Sequence, residues 1–568
     1  MSSMIDKVNV AMTPNLADRV VNYFSPVRGA KRMRARAVQA IAGSFMSTGH
    51  GGFAGARVDK RTTAGWFTTS GSADSDSLPD IPTLRARSRD LLRNSPLSVG
   101  AVVTVTQSVV GSGLALQARP DRQVLKWSQD KAVEWAAHTE SEYRLFAESA
   151  LCDLTRTQNI YGLQALAFRS TLEGGDSFAL LPMKPVKGTP YKTRIQLVEA
   201  DRVDNPKRTM VDGTLLDTGN RVYSGVEKSA DGAPVAYHIL RQHPGNMDGR
   251  LDWTTDRYPV FGERTGRRNV LHLYDRLRID QSRGIPYLAP VIEALHLVGK
   301  YTDAELMAAV VSSLFTVFVK TPSGEGMNIA ASAAASQAGI VSGTTSSSNS
   351  QEPLKLGPGL IVDLADGDDV TFADPKRPNV AFDAFVMAML RQIGVALGLP
   401  FEILIKHFTA SYSAARAALL EAWKFYMGRR HWLAHHFCQP IYEAFLDEAV
   451  SLGRITAPGY FADPAMRRAY LGSEWIGDAP GSIDPLKEVN AAKGRIELGV
   501  SSRQKETMEL TGQVWEDVHA QQVRERQMRV RDGLESTLTV STNPVPDKTG
   551  TDDDGGSDLE APPQKGGR

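Results

Sequence analysis

The sequence predicts an α+β fold, and three observations support that expectation. Residues 115 to 275 alternate short apolar runs with Gly, Pro and Asp turns, the writing of strands. Two helical runs, 290 to 319 and 381 to 397, stand far apart with a compositionally distinct segment between them. A charged helical stretch from 485 to about 535 follows.

Residues 1–75 read as an N-terminal arm. It has a basic segment, Arg28, Lys31, Arg32, Arg34 and Arg36, and a Gly- and Ser-rich close. A helix is expected to begin at Ile81-Pro82-Thr83, where proline suits an early helical position, and to end at Asn94-Ser95-Pro96. A second apolar segment runs to the turn Gly111-Ser112-Gly113. One helical piece is expected around Glu142 to Thr171. The runs RIQLVEA, NRVYSGVEK, PVAYHIL and NVLHLYD then read as strands. From Pro290 to Val319 the helical pattern is unbroken, about 45 Å at 1.5 Å per residue. Residues 328–352 are low in complexity, and LKLGPGLIVDLADGDDVTFADP reads as two short strands and a turn. The last 28 residues have almost nothing to bury and are expected to be disordered.

Composition narrows the function classes. Of 568 residues, 42% are apolar and 23% charged, with a formal net charge of +1, which excludes a globally basic nucleic-acid coat. Two cysteines, Cys152 and Cys438, make neither a disulfide framework nor a CxxC pattern and point to a reducing compartment. The N-terminus shows no secretory pattern. The most apolar stretch, Leu306 to Val319, falls short of the roughly 20 residues a membrane-spanning helix needs, so no membrane is expected.

Motifs of catalysis are missing from the sequence. No GxxxxGK[ST] occurs, Ala294 standing where the first glycine before Gly299-Lys300 would be; nor is there an HExxH, GxSxG or GxGxxG. Gly174-Gly175-Asp176-Ser177 reads as a turn. Asp363, Asp366, Asp368 and Asp369 lack the closing Glu of a calcium loop and read as a solvated turn. His431, His435 and Cys438 fall at i, i+4 and i+7 of a helix, the spacing of a zinc face, but a fourth ligand is not evident and the surrounding aromatic residues suit a packed core. The expectation is a chain that is not an enzyme and holds no metal or cofactor. A metal-dependent hydrolase resting on these two groups is the least favoured alternative.

Residues 378 to 421, PNVAFDAFVMAMLRQIGVALGLPFEILIKHFTASYSAARAALLE, resemble the signature region of the lambda-type portal protein family of tailed double-stranded DNA bacteriophages. Phe382, Phe385, Leu390, Arg391, Ile393, Leu397, Gly398, Pro400, Glu402, Tyr412, Ser413, Ala415, Arg416 and Glu421 match the family pattern. Ser411 stands where the family often has Asn, and Phe401 where it has Tyr. Arg89-Asp90 with Leu92, Asn94 and Pro96, Val110-Gly111-Ser112-Gly113, Glu173-Gly174-Gly175-Asp176 and Arg283-Gly284-Ile285-Pro286 agree with the resemblance, which covers roughly 80 to 535.

The resemblance implies a portal fold: a ring, usually of twelve subunits, around a DNA channel at one capsid vertex. It implies a wing at 76–285, a first stem helix at 286–319, a clip at 320–377 and a second stem helix at 378–400. Residues 401–412 would be a tunnel loop, 413–484 a long helix with the rest of the wing, 485–540 a helical crown and 541–568 a tail. Ile405, Lys406, His407, Phe408, Thr409 and Ser411 are the implied channel residues, Lys406 and His407 being the polar ones that would meet phosphate. Arg391, Gly398, Pro400, Tyr412, Ser413 and Arg416 form the signature around the helix break. Gly398 and Pro400 would stop the second stem helix, Ser411 or Ser413 would cap the next, and Ala414, Ala415, Ala417 and Ala418 would remove bulk where copies crowd.

The implied partners are further copies of the chain, double-stranded DNA without sequence preference, the large terminase subunit, head-completion or adaptor proteins, and the major capsid and scaffolding proteins. The implied location is the virion, after assembly in the host cytoplasm. A head-tail connector ring without the portal role is the main alternative, set apart by its usual shorter length.

Overall fold

In the computed structural model, the described residues are 66, 68, 70–206, 212–215, 218–246, 253–314, 319–320, 363–364, 382–408, 411–480 and 485–534. The chain divides into two compact units, Met1–Ser75 and Asp76–Arg568. In the first, Ser72 Oγ accepts a hydrogen bond from Ser75 N at 3.1 Å; the basic arm lies outside the described residues. All that follows concerns the second unit.

Helix α1, Ile81–Asn94, begins and ends where its prolines and Ser95 place the boundaries. Ser95 then caps α2, Pro96–Val109, its hydroxyl accepting from Ser98 N. Strand β1, Ala115–Ala118, precedes two helices, α3 (Gln129–Ala147) and α4 (Ile160–Gly174). The sequence reading merged these into one piece around 142–171. The chain instead breaks at 148–159, where Asp153 accepts bonds from Thr155, Thr157 and Gln158 and Asn159 caps α4 by accepting from Gly162 N at 3.0 Å.

Two antiparallel sheets follow. The first has the order β3-β2-β9, built from Gln196–Glu199, Asp176–Leu180 and Val270–Tyr274. The second is a five-stranded meander: β4 (Gly213–Thr214), β5 (Arg221–Tyr223), β6 (Val226–Lys228), β7 (Pro234–Leu240) and β8 (Thr255–Pro259). All five residues of β2 are buried, because its two faces meet different cores. Ala179 joins the main core of the helices, whereas Phe178 and Leu180 join a smaller one with Val203, Val226, Tyr237 and Ile239 of the meander side.

Helix α5, Ile292–Leu314, is 23 residues long, about 35 Å. The expected run to Val319 is not reached: Val319–Lys320 forms a strand, β10, paired in parallel with β11, Asp363–Leu364. Val319 is β-branched, a residue type that favours a strand over a helix. The rest of 321–381, including the low-complexity insert and the other aspartates of DLADGDD, lies outside the described residues. Helix α6, Phe382–Leu397, matches its expected bounds closely. It is followed by α7 (Phe401–Ile405), α8 (Tyr412–Leu433), a π turn at Ala434–Cys438 and α9 (Gln439–Ser451).

Strand β12, Ser473–Ile476, returns to pair antiparallel with β1, joining positions more than 350 residues apart in sequence. Three helices end the described chain: α10 (Pro485–Glu497), α11 (Arg503–Thr511) and α12 (Trp515–Arg531). No helix among the described residues is long and apolar enough to cross a membrane.

The α5–α6 pair is buried only at its inner end. Leu295 and Val298 of α5 and Leu390, Ile393 and Leu397 of α6 are in the core. From Gly299 to Val310 no residue of α5 is buried, and Leu306 and Met307 are 63% and 61% exposed. There the two helices meet through Tyr301, stacked on Phe382 at 5.5 Å and edge-on to Phe385 at 5.2 Å.

Candidate functional site

The segment singled out by sequence, 378 to 421, folds over its described residues as a helix–break–helix unit. Helix α6 stops because Gly398 takes φ +66, a left-handed conformation that glycine adopts without steric penalty. Leu399 N then donates to Gly394 O at 2.9 Å, closing the helix end. Gly394 itself admits no side chain, since a Cβ there would lie 2.7 Å from Leu399 O.

Pro400 opens α7, so Phe401 to Ile405 form a helix where the sequence reading placed the start of a loop. Two apolar side chains hold it: Ile403 and Leu404 are buried in the main core. Ile405, expected to face a channel, packs partly buried against the same core. Lys406 ends α7 in the left-handed region at φ 55, and its N–H donates to Glu402 O. Between α7 and α8 the described residues without helix or strand are therefore Lys406, His407, Phe408 and Ser411. Lys406, His407 and Phe408 are exposed, Phe408 by 51%. Thr409 and Ala410 lie outside the described residues.

Ser411 occupies the N-cap position of α8, but its side chain does not accept from the helix; its hydroxyl lies 3.3 Å from that of Ser413. The expected side-chain cap is not formed. Ala415 N donates instead to Ser411 O at 2.9 Å. Tyr412 begins α8; its side chain is outside the described set. Ala414 and Ala417 are exposed and Ala415 and Ala418 half-buried. Arg391 is exposed with its guanidinium 5.2 Å from the Phe401 ring, and Arg416 Nη2 lies 3.8 Å from Glu488 Oε1 of α10.

The histidine–cysteine face does not survive folding. The π turn at Ala434–Cys438 inserts a wider turn into the helix, which shifts the register that i, i+4, i+7 counting assumes. Cys438 is fully buried, and its thiol is pushed up by that burial, whereas His431 and His435 are exposed. Among the described residues no group of three His, Cys, Asp or Glu side chains is placed to hold a metal ion.

Two features escaped the sequence reading. A groove of about 1160 Å³ runs between α8, β12 and the C-terminal helices, lined by Leu419, Leu420, Trp423, Trp475, Lys487 and Met508 among others. No local motif marks it, since the walls from β12 and the C-terminal helices lie about 50 to 90 residues from those of α8. The other is a buried charge cluster that unites two of the quoted turns. Asp176 accepts from Arg283 Nε at 2.6 Å and from Arg85 Nη2 at 2.7 Å, and His272 Nε2 lies 3.2 Å away. Burial opposes the Asp176 charge, but Arg283 and then Arg85 outweigh it and hold the carboxyl well below the usual range. Burial lowers His272 to about 4, so the ring is neutral near pH 7. Arg283 also donates to the carbonyls of Ala200, Val203 and Ser224, which ties the entry to α5 to both sheets.

Comparison with known proteins gives these features a context. The family described as phage portal protein, lambda family, matches residues 59–430. Portal protein B of Escherichia phage lambda is 26% identical over 497 residues, covering 85% of this chain and 90% of that protein. The portal protein of Escherichia phage N15 is 27% identical over 500 residues, covering 86% and 90%. A solved chain from the neck of a native GTA particle computed with C12 symmetry shares 15% identity at a TM-score of 0.36, over 75% of this chain and 92% of that one; a likeness at that score adds no weight. With the match spanning most of its length, the chain belongs to the lambda family of phage portal proteins.

Proposed function

We propose that this chain is the portal subunit of a tailed phage, twelve copies closing into a ring at one capsid vertex around a channel for double-stranded DNA. The terminase drives the genome in through this channel, and the same channel releases it at ejection. Family membership supports the reading, and one observation carries the assembly: the outer halves of α5 and α6 leave Leu306, Met307 and Phe385 exposed on two long helices. Exposed apolar surface on long helices calls for a cover, and copies of the same pair in a closed ring supply one.

In this reading 286–314 and 382–397 are the two stem helices, the segment between them is the clip that meets the terminase and later the head-completion proteins, and the meander is part of the wing. The part of the chain nearest DNA narrows to Lys406–Ser411, because α7 is anchored in the core. Lys406 and His407 contact phosphate, which positions DNA without reading sequence. The chain performs no chemistry of its own; the terminase ATPase supplies the energy. Capsid and scaffolding proteins surround the ring during assembly in the host cytoplasm.

The double variant Leu306→Asp/Met307→Asp tests the assembly. Both side chains are exposed in the isolated chain, so it folds as a monomer and forms no ring. Rings of unchanged mass from this variant would refute the stem assignment.

A further inference from the structure

Helix α5 carries Gly299, Asp303, Leu306 and Val310 at i, i+4, i+7 and i+11, and all four are exposed. That spacing keeps them within about 60° around the axis, on a face about 170° from Tyr301, whose ring meets α6. Helix α6 repeats the spacing with Ala384, Ala388, Arg391 and Val395, all exposed and again within about 60°. The centre of this second stripe lies about 90° round α6 from Phe385 and about 150° from Phe382, the two rings that meet Tyr301. The α5–α6 pair thus presents one patterned stripe on each outer side.

The two stripes complement each other when laid antiparallel. Gly299 then faces Val395, Asp303 faces Arg391, Leu306 faces Ala388 and Val310 faces Ala384. In each apolar pair a small residue receives a large one, the condition for two helix faces to interdigitate. In the remaining pair a carboxylate receives a guanidinium. Neither charge is matched within its own chain: Asp303 and Arg391 make no ion pair among the described residues, and Arg391 rests only on the Phe401 ring. Val395 is 83% exposed although it lies between the buried Ile393 and Leu397. Gly299 also lacks a reason within its own chain. A Cβ there would meet no neighbouring atom within 4 Å, and its backbone is not left-handed, yet glycine inside a helix is less favourable than alanine. A side chain pressed against it from another copy supplies the reason. A register one heptad away sets Asp303 beside Ala384 and Arg391 beside His296, with no charge match.

The geometry points to a contact between copies in which the α5 stripe of one chain lies antiparallel on the α6 stripe of the next, Asp303 pairing with Arg391. The two faces differ, so each copy uses one on either side and the contact repeats around a ring. The contact rests on the portal reading above and names the surfaces that close it. Relative to the Tyr301 pairing within a chain, it is displaced by roughly 14 Å along the helices. Copies in a ring share one height, so that displacement across two helix widths, about 20 Å, makes the stem lean about 35° from the ring axis.

Leu306→Cys/Ala388→Cys in the full-length chain tests the contact. The two positions face apart within one chain, and Cys152 and Cys438 are buried, so oxidation links neighbouring copies into a ladder of covalent multimers on a denaturing gel. Asp303→Cys/Ala384→Cys, which samples the register one heptad away, gives at least about tenfold less product, because a disulfide needs Cα atoms within about 7 Å. Charge reversal gives an independent reading by native mass spectrometry. Asp303→Arg alone and Arg391→Asp alone each set like charges together and lose the ring, whereas an equal mixture forms rings with equal numbers of the two chains, since every contact then joins Asp to Arg. Intact rings from either variant alone, or a mixture that forms none, overturn the pairing. No ring from the unaltered chain refutes the portal reading and the contact together. Rings from the unaltered chain, with the 306/388 pair unlinked or the 303/384 pair linked in its place, overturn the contact and leave that reading standing.

Discussion

Arg283 Nε stands 2.6 Å from Asp176 Oδ2, and both side chains are fully withdrawn from solvent. The pair joins the turn that closes α4 to the segment that feeds α5, two parts of the chain 107 positions apart. The backbones meet there as well. A Cβ on Gly284 would lie 1.9 Å from Gly175 O, and Gly175 has φ +89, so each position excludes a side chain for its own reason.

Replacing Asp176 by Asn leaves Arg283 buried without a counter-charge and Arg85 with only the Asp201 carboxylate, 4.0 Å away. Removing one partner of a buried pair costs about 3–5 kcal/mol. Urea unfolding of Asp176→Asn should show a loss of that order, whereas Asp256→Asn, whose partner Arg241 is exposed, should change stability by less than about 1 kcal/mol.

Stability should fall as the solution is acidified from pH 6.5 towards 4. His272 has its folded pKa lowered to about 4, so between 4 and 6.5 the unfolded chain binds the extra proton and stability rises with pH. This one group accounts for up to about 3 kcal/mol. His238 and His436 are also lowered by burial and act in the same window, so His272→Phe should flatten the pH dependence without abolishing it. Below that window the depressed Asp176 carboxyl adds a further loss as it protonates. Thermal unfolding across pH 4–7 checks the slope.

Gly398→Ala forces a side chain into the left-handed region at the end of α6. The Cβ would sit 3.4 Å from the Phe425 ring, ordinary contact, so the penalty is that of the backbone, about 1–2 kcal/mol. A larger loss would mean that α6 and α8 pack more tightly than the isolated chain shows.

Lys406→Gln/His407→Gln should leave folding stability within about 0.5 kcal/mol, since both side chains are exposed. Ring mass should stay constant as well, while the rate of DNA packaging in a reconstituted reaction changes. An unaltered packaging rate would move the DNA contact away from this loop.

Local boundaries were legible where a residue's own chemistry dictates them. Pro82 and the Asn94-Ser95-Pro96 stop fixed α1, and Gly398 with Pro400 fixed the end of α6. The break between α3 and α4 was missed because no proline and no glycine marks it; Asp153 and Asn159 make it by bonding backbone N–H groups. Helix α7 was read as loop because five residues show no period, and only the burial of Ile403 and Leu404 reveals its role. The Asp176–Arg283 pair is not legible for another reason: each residue stands within its own motif, but nothing in a linear pattern states which distant charge it will meet.

The central claim is that copies of this chain close into a ring. Native mass spectrometry of the purified full-length protein tests it most directly. Twelve copies of 61.8 kDa give about 740 kDa, and that species, stable to moderate salt, is the expected result. A monomer or dimer that persists at micromolar concentration across salt conditions would contradict the ring and leave the exposed faces of α5 and α6 without their proposed cover.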